Sequence, residues 1–429
     1  MNTLEGKSVA EIKSLLVRPK LEQKNLNSLV HDVFQEVESD GDRAVLKYAK
    51  QFDGFTADSM LVSEAEIVKA CSQVPEDLKN AIQQAAKNIE KFHAAQQAPV
   101  EVIETMPGIS CWRKSVGIDR VGLYIPGGTA PLFSTVLMLA IPAKLAGCKE
   151  IVLTTPANKS GVINAVILYT AQLVGVTKIY KLGGIQAIAA LALGTESIPN
   201  VYKIFGPGNQ YVTAAKQYAQ NLGVAIDMPA GPSEVMVVAD ASANPSFLAA
   251  DLLSQAEHGA DSQVVLLSTS TKVLVETKEA LAQQLADLPR KDLINQSLAY
   301  AKFVEVAKEN LLEVINDYGP EHLILATSFN ETLLDGITNA GSVFIGEYTP
   351  ESLGDYASGT NHTLPTNGFA KAYSGVSLDS FVKKITYQKA TKEGLKLIGS
   401  IVEKMAEAEE LMAHKNAVSI RLKTIDNEV

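Results

Sequence analysis

The sequence predicts an α/β protein with two parallel sheets and helical segments at both ends. Three observations carry that prediction. From about residue 119 onward, short apolar runs alternate with helix-like runs, the pattern of βαβ units. The short runs are apolar throughout rather than at every second residue, as strands covered on both faces are. A second series of the same texture begins at residue 233. Length agrees, since 429 residues suggest several units of roughly 100–200 residues each.

Before the first series, residues 9–98 read as mostly helical. Leu29, Val33 and Val37 share one helical face before a break at Gly41, a shorter helix spans 63–74, and a long one starts at Pro75. The first series runs through the strands "RVGLYIP", "EIVLTTP", "KIYKLGG" and "VYKIFGPGN", with helices between them, and closes at "VAIDMPAGP". The second holds "SEVMVVAD", a helix over 245–257, "QVVLLST", a long helix, "FVEVA", a helix to about 318, "HLILAT", a helix from 330 and "GSVFIG". The similar length of the two series makes an old duplication plausible. "ESLGDYASGTNHTLPTNG" (351–368) then reads as a loop of small residues, 378–414 as helix, and "AVSIRL" as a short terminal strand.

Bulk properties narrow the function. The net charge of −10 disfavours nucleic acid and anionic membrane as partners. Three cysteines, Cys71, Cys111 and Cys148, lack the count and spacing of a disulfide framework, which points to a reducing compartment. The N-terminus has no basic region followed by an apolar run, and no apolar run reaches the roughly 18 residues of a membrane span. The expectation is a cytoplasmic protein.

Glycine turns mark one candidate site. Gly127–Gly128, Gly183–Gly184 and Gly206-Pro-Gly208-Asn209 follow strands and precede helices. Ligands of parallel sheets bind at such carboxyl ends, where helix N-termini favour phosphate. None matches G-x-G-x-x-G, so each alone reads first as a tight turn, whereas three in one sheet favour a binding crevice.

Histidines mark another. Of six, His31 and His93 sit among ordinary helix residues and read as surface or packing groups. His258, His322, His362 and His414 lie beside carboxylates, amides or glycines. Gln255 and His258 are three apart and share a helical face, whereas Glu257 points roughly 100° away from His258. Glu321 and His322 are adjacent at a strand entry, where they form two bases or a polar turn. Asp355 and His362 occupy the small-residue loop, and Glu409 and His414 a helix end. Gln255, His258, Asp355 and His414 together make a nitrogen and oxygen donor set suited to zinc or a similar ion. Cys148, at a helix-to-strand turn without a neighbouring base, reads as core filler.

The chain resembles histidinol dehydrogenases over essentially its full length. The resemblance lies in "VGLYIPGGTAPLFSTVLMLAIPAKLAGC", "GGIQAIAALALGTESIPNVYKIFGPGN", "IDMPAGPSEV", "DLLSQAEHGADSQV", "YGPEHL", "SVFIGEYTPES", "GDYASGTNHTLPT" and "AHKNAV". It implies two Rossmann-like domains: 25–121 plus 232–372 carrying metal and substrate, and 122–231 carrying NAD. A helical arm (1–24) and a helical dimerisation segment (373–429) would flank them. It implies four-electron oxidation of L-histidinol to L-histidine through L-histidinal, with two NAD used in turn, as the last step of histidine biosynthesis. One zinc per subunit would be held by Gln255, His258, Asp355 and His414, the last from the other subunit of a homodimer. Substrate contacts would be Ser233, Gln255, His258, His322, Asp355, Glu409 and His414; NAD contacts would be Tyr124, Gln186 and Asn209. His322 would take the hydroxyl proton and Glu321 would activate water. Two other readings of the same residues are a metal-dependent hydrolase or lyase with structural glycine turns, and a small-molecule binding protein.

Overall fold

The computed structural model describes residues 3–18, 26–54, 59–127, 130–229 and 231–427. Fourteen strands are seen among them: β1 Thr3–Leu4, β2 Val102–Met106, β3 Ile109–Gly117, β4 Arg120–Tyr124, β5 Glu150–Thr155, β6 Lys178–Lys181, β7 Lys203–Phe205, β8 Ala225–Ile226, β9 Glu234–Ala239, β10 Gln263–Ser268, β11 Lys302–Glu305, β12 His322–Ala326, β13 Ser342–Ile345 and β14 Val382–Ala390. The chain divides into two compact units, residues 1–96 with 118–381, and residues 97–117 with 382–429.

The first unit holds both parallel sheets expected from sequence. One is ordered β6-β5-β4-β7-β8 and the other β1-β11-β10-β9-β12-β13. Numbered within each series, both follow the same 3-2-1-4-5 order, with β1 added at the edge of the second. All pairs in them are parallel. Shared order strengthens the case for duplication beyond what residues alone offer.

Burial explains why these strands were legible. In β9, Val235, Val237 and Ala239 enter one core while Met236 and Val238 enter the core on the opposite face. The helix Phe133–Leu145 is buried along nearly its whole length. Helices Asn27–Asp40, Glu64–Gln73 and Glu76–Ala94 bury Val33, Ala70 and Ile89 in the core of the five-stranded sheet. The expected grouping joined 25–121 to the other sheet. The difference follows from packing: the neighbours of these helices are the crossover helices of the five-stranded sheet.

The second unit departs from expectation. Residues 102–117 and 382–390 form an antiparallel sheet ordered β14-β3-β2, where helix was expected after residue 378. Both outer strands are largely exposed, so no buried face imprints a pattern on them. Helices Lys392–Ala408 and Met412–Asn427 follow, and the second replaces the expected strand "AVSIRL". Gly399 lets them touch, because a Cβ there would meet Leu422 Cδ1 at 2.7 Å. Among the described residues, no helix is long and apolar enough to cross a membrane.

Candidate functional site

Two polar regions of the first unit hold the sequence candidates other than Glu409 and His414. One is the carboxyl end of the five-stranded sheet. Gly206 follows β7 with φ of +125°, and a Cβ there would lie 2.0 Å from the Tyr124 carbonyl oxygen at the end of β4. Only glycine fits so close an approach. Buried Lys216 donates to the Gly206 carbonyl at 2.8 Å and pairs with Asp227, which accepts the Gly206 N–H at 2.8 Å. The turn is thus held on both sides. Asn209 caps the helix Gln210–Asn221, its Oδ1 accepting from Tyr211 and Val212 N–H.

Tyr124 and Gln186 meet at the neighbouring helix start. The Tyr124 hydroxyl accepts the Gly184 N–H at 3.2 Å, and burial pushes it up to about 12. Gln186 is buried, donates to Asp53 Oδ2 at 2.9 Å, and leaves its Oε1 without a partner. Gly127 and Gly183 both close on Pro156, where a Cβ would meet ring carbons at 2.1 and 2.8 Å. Gly128 lies outside the described residues. Asp53 was not foreseen; it sits at the end of an irregular helical turn that carries no motif.

The other region is the amino end of the six-stranded sheet. His322 is the first residue of β12 and Glu234 the first of β9, with Ser233 just before it. The Glu321 Oε2 accepts the Glu234 N–H at 2.9 Å, and His322 Nδ1 lies 3.3 Å from the Glu234 carbonyl. His322 Nε2 faces Asp355 Oδ1 at 3.5 Å. Both Glu321 and His322 are buried. Burial pushes the Glu321 carboxyl up to about 7, against the opposing pull of His322 and the Glu234 N–H. For His322 burial acts downward, but the carboxylates of Glu351, Glu321 and Asp355 outweigh it and push the imidazole up to about 10. Burial also works to raise Asp355; the hydrogen bond and charge of His322, with His362 and His258, hold it below the usual range.

Asp355 lies not in an irregular loop but in a short helix, Glu351–Tyr356. That helix adds Glu351, which sequence reading missed. Glu351 is buried, and its Oε2 has no hydrogen-bond partner. Burial raises its carboxyl, joined by the negative charge of Asp355, Glu321 and Asp251. A signal existed: Glu351 and Asp355 are four apart, the spacing of one helical face.

These side chains suit a divalent cation. Donor atoms of His258, Glu351 and Asp355 all lie within 4.8 Å of one another. Gln255, in the last turn of the helix Pro245–Ala256, is fully buried, and neither its Oε1 nor its Nε2 has a partner. Leaving a buried polar group unpaired costs about 1–3 kcal/mol, a cost that a cation on the amide oxygen would offset. His362 is otherwise engaged. Its Nδ1 is 2.8 Å from the Asp355 carbonyl, an acceptor only, so Nδ1 carries the proton and Nε2 accepts from Thr135 Oγ1 at 3.0 Å in the neutral ring. It ties the Asp355 helix to the helix Phe133–Leu145. Glu409 and His414 are exposed residues of the second unit.

The remaining histidines and Cys148 behave as read. His31 Nδ1 meets Tyr218 Oη at 2.9 Å, and buried His93 Nδ1 meets the Ile89 carbonyl at 2.9 Å. Burial pushes the Cys148 thiol up to about 11.

Two parallel sheets with a buried glutamate–histidine pair beside a nitrogen and oxygen donor set define an α/β enzyme site. Comparison with known proteins specifies it. The histidinol dehydrogenase family model matches residues 16–422. A histidinol dehydrogenase of Bacteroides thetaiotaomicron is 57% identical over 426 residues, covering 99% of this chain and 100% of the relative. One from Escherichia coli is 49% identical over 421 residues, covering 97% and 96%. The crystal structure of histidinol dehydrogenase from Elizabethkingia anophelis superposes with a TM-score of 0.98 at 56% identity, covering 99% of each chain. The chain belongs to the histidinol dehydrogenase family and is an oxidoreductase of histidine biosynthesis.

Proposed function

We propose that the protein oxidises L-histidinol to L-histidine through L-histidinal, using NAD twice, in the cytoplasm. The observation that carries this reading is the buried Glu321–His322 pair, held by one backbone residue and facing Asp355, in a chain of this family. Gln255, His258 and Asp355 would hold zinc, with His414 supplied across a homodimer. The orphaned amide of Gln255 supports the first assignment. Exposed Leu397, Ile401, Met405 and Met412, on the two helices that flank Glu409 and carry His414, support a subunit contact in that segment. Zinc would supply positive charge that binds and orients the nitrogen groups of the substrate. NAD would supply the hydride acceptor, with Tyr124, Gln186 and Asn209 beside it.

The residues then divide the work. His322, neutral once the surrounding carboxylates are engaged, takes the hydroxyl proton while hydride leaves the carbinol carbon. Glu321, raised toward neutrality by burial, takes a proton from the water that adds to the aldehyde. The resulting gem-diol loses a second hydride and becomes the acid. Ser233 and Glu409 would contact substrate. Division into a substrate-side and an NAD-side domain follows from this scheme, with residues 232–372 and 122–231 carrying them.

The test is the number of NADH formed per L-histidinol by zinc-loaded protein. Two NADH with histidine as product is expected. No NADH sinks the reading, and one sinks its second step.

A further inference from the structure

Arg18 reaches the acid–base pair from the far end of the sequence. It follows the helix Val9–Leu15, in the helical arm (1–24) that the resemblance implies. Its guanidinium grips Glu234 with two hydrogen bonds, Nε to Oε2 at 2.5 Å and Nη2 to Oε1 at 2.7 Å. Nη2 also donates to the Tyr318 carbonyl at 2.9 Å, and the guanidinium carbon sits 3.9 Å from the Tyr318 ring centroid. The Tyr318 hydroxyl in turn donates to Gln263 Oε1 at 2.8 Å and lies 3.2 Å from Glu234 Oε2.

Glu234 is the joint. Its side chain faces Arg18, while its backbone N–H and carbonyl hold Glu321 and His322 respectively. Its carboxylate is 2% exposed, so without Arg18 it would be a buried charge lacking its cation. Losing one partner of a buried pair forces the other to move or take up a proton. Either change shifts the strand end on which both catalytic candidates are set.

We propose that Arg18 is a positioning residue for the reaction: it fixes Glu234 and, through that residue's backbone, the orientation of Glu321 and His322. This rests on the acid–base roles given above. A bidentate fork is required, so lysine replaces the charge but not the geometry.

The experiment compares the zinc-loaded full chain with Arg18→Gln, Arg18→Lys and Lys13→Ala. Lys13 pairs with Glu313 and Asp317 on the helix that also bears Tyr318, yet touches neither candidate, so it reports on anchoring alone. Steady-state histidinol oxidation, zinc content and thermal unfolding are measured on each. Arg18→Gln is expected to lower kcat about 10–100-fold, with KM and zinc content unchanged. Arg18→Lys falls between it and the parent, and added guanidinium ion raises kcat of Arg18→Gln. Lys13→Ala leaves kcat unchanged even where its melting temperature falls. Should Arg18→Gln not fold, Arg18→Lys decides: lowered kcat at parental KM supports the assignment. Parental kcat in the Arg18 variants overturns it, as does activity lost only in proportion to zinc. A parent chain that makes no NADH from histidinol instead overturns the acid–base reading, and this inference with it.

Discussion

The two parallel sheets share a strand order and differ in which end carries free polar chemistry. At the crossover point of the five-stranded sheet, between β4 and β7, the carboxyl ends carry glycine turns pressed against Tyr124 and Pro156. At the equivalent point of the six-stranded sheet, between β9 and β12, the carboxyl ends are closed. Asp240 there accepts the N–H and hydroxyl of Ser242 at 2.9 and 2.5 Å, and those of Ser328 at 2.9 and 2.6 Å. With its carboxylate satisfied, Asp240 is already engaged. Among the described residues, buried side-chain atoms of Gln255, Gln263, His322 and Glu351 that have no hydrogen-bond partner gather around the amino end instead. Strand order tells where a crevice forms; hydrogen-bond satisfaction tells whether it is available.

Breaking the amino-end cluster should have the largest effect. Glu321→Gln and His322→Asn are each expected to lower kcat about 10²–10⁴-fold, measured as NADH formation from histidinol. Asp355→Ala should come next. Removing a carboxylate from the donor set should strip zinc, seen as metal content after gel filtration, with a loss of affinity of at least about 10–100-fold.

The carboxyl end of the five-stranded sheet should respond through geometry rather than charge. Gly206→Ala sets a methyl against the Tyr124 carbonyl and should cost about 1–3 kcal/mol, read as a lower melting temperature together with weakened NAD binding by calorimetry. The closed crevice of the other sheet should matter to stability alone. Asp240→Ala removes the acceptor shared by the exposed Ser242 and Ser328, whose donors water can satisfy, costing about 0.5–1.5 kcal/mol, while zinc content and KM stay at parental values.

Cys148 should show the smallest effect. Burial disfavours its thiolate, so the thiol deprotonates only as pH rises toward about 11. Alkylation by iodoacetamide at pH 8 should spare it, and Cys148→Ala should keep kcat within about twofold. A large loss of the aldehyde step would instead point to Cys148 as a nucleophile that carries the acyl group as a thioester.

Legibility in the sequence followed burial. β9, β10 and β12 are covered on both faces, and their apolar runs announced them. β2 and β14 are exposed along most of their length and gave no such signal, although Trp112 and Tyr387 stack across the sheet they build. "AVSIRL" has the residues of a strand, but Glu410 at φ of +61° turns the chain so that it continues as a helix beside the preceding one. At the site, Glu321 and His322 stood out as an adjacent acid and base at a strand entry, and Asp355 as a carboxylate in a stretch of small residues. Glu234 and Arg18 did not: their importance lies in a contact across 216 residues of sequence, which no local spacing encodes.

Anomalous diffraction at the zinc edge, from crystals grown with zinc, tests the central claim most directly. The account predicts one strong peak at the amino end of the six-stranded sheet, within bonding distance of Gln255 Oε1, His258 and Asp355. A peak at the glycine turns of the other sheet, or a zinc site that leaves Gln255 unligated, would contradict it.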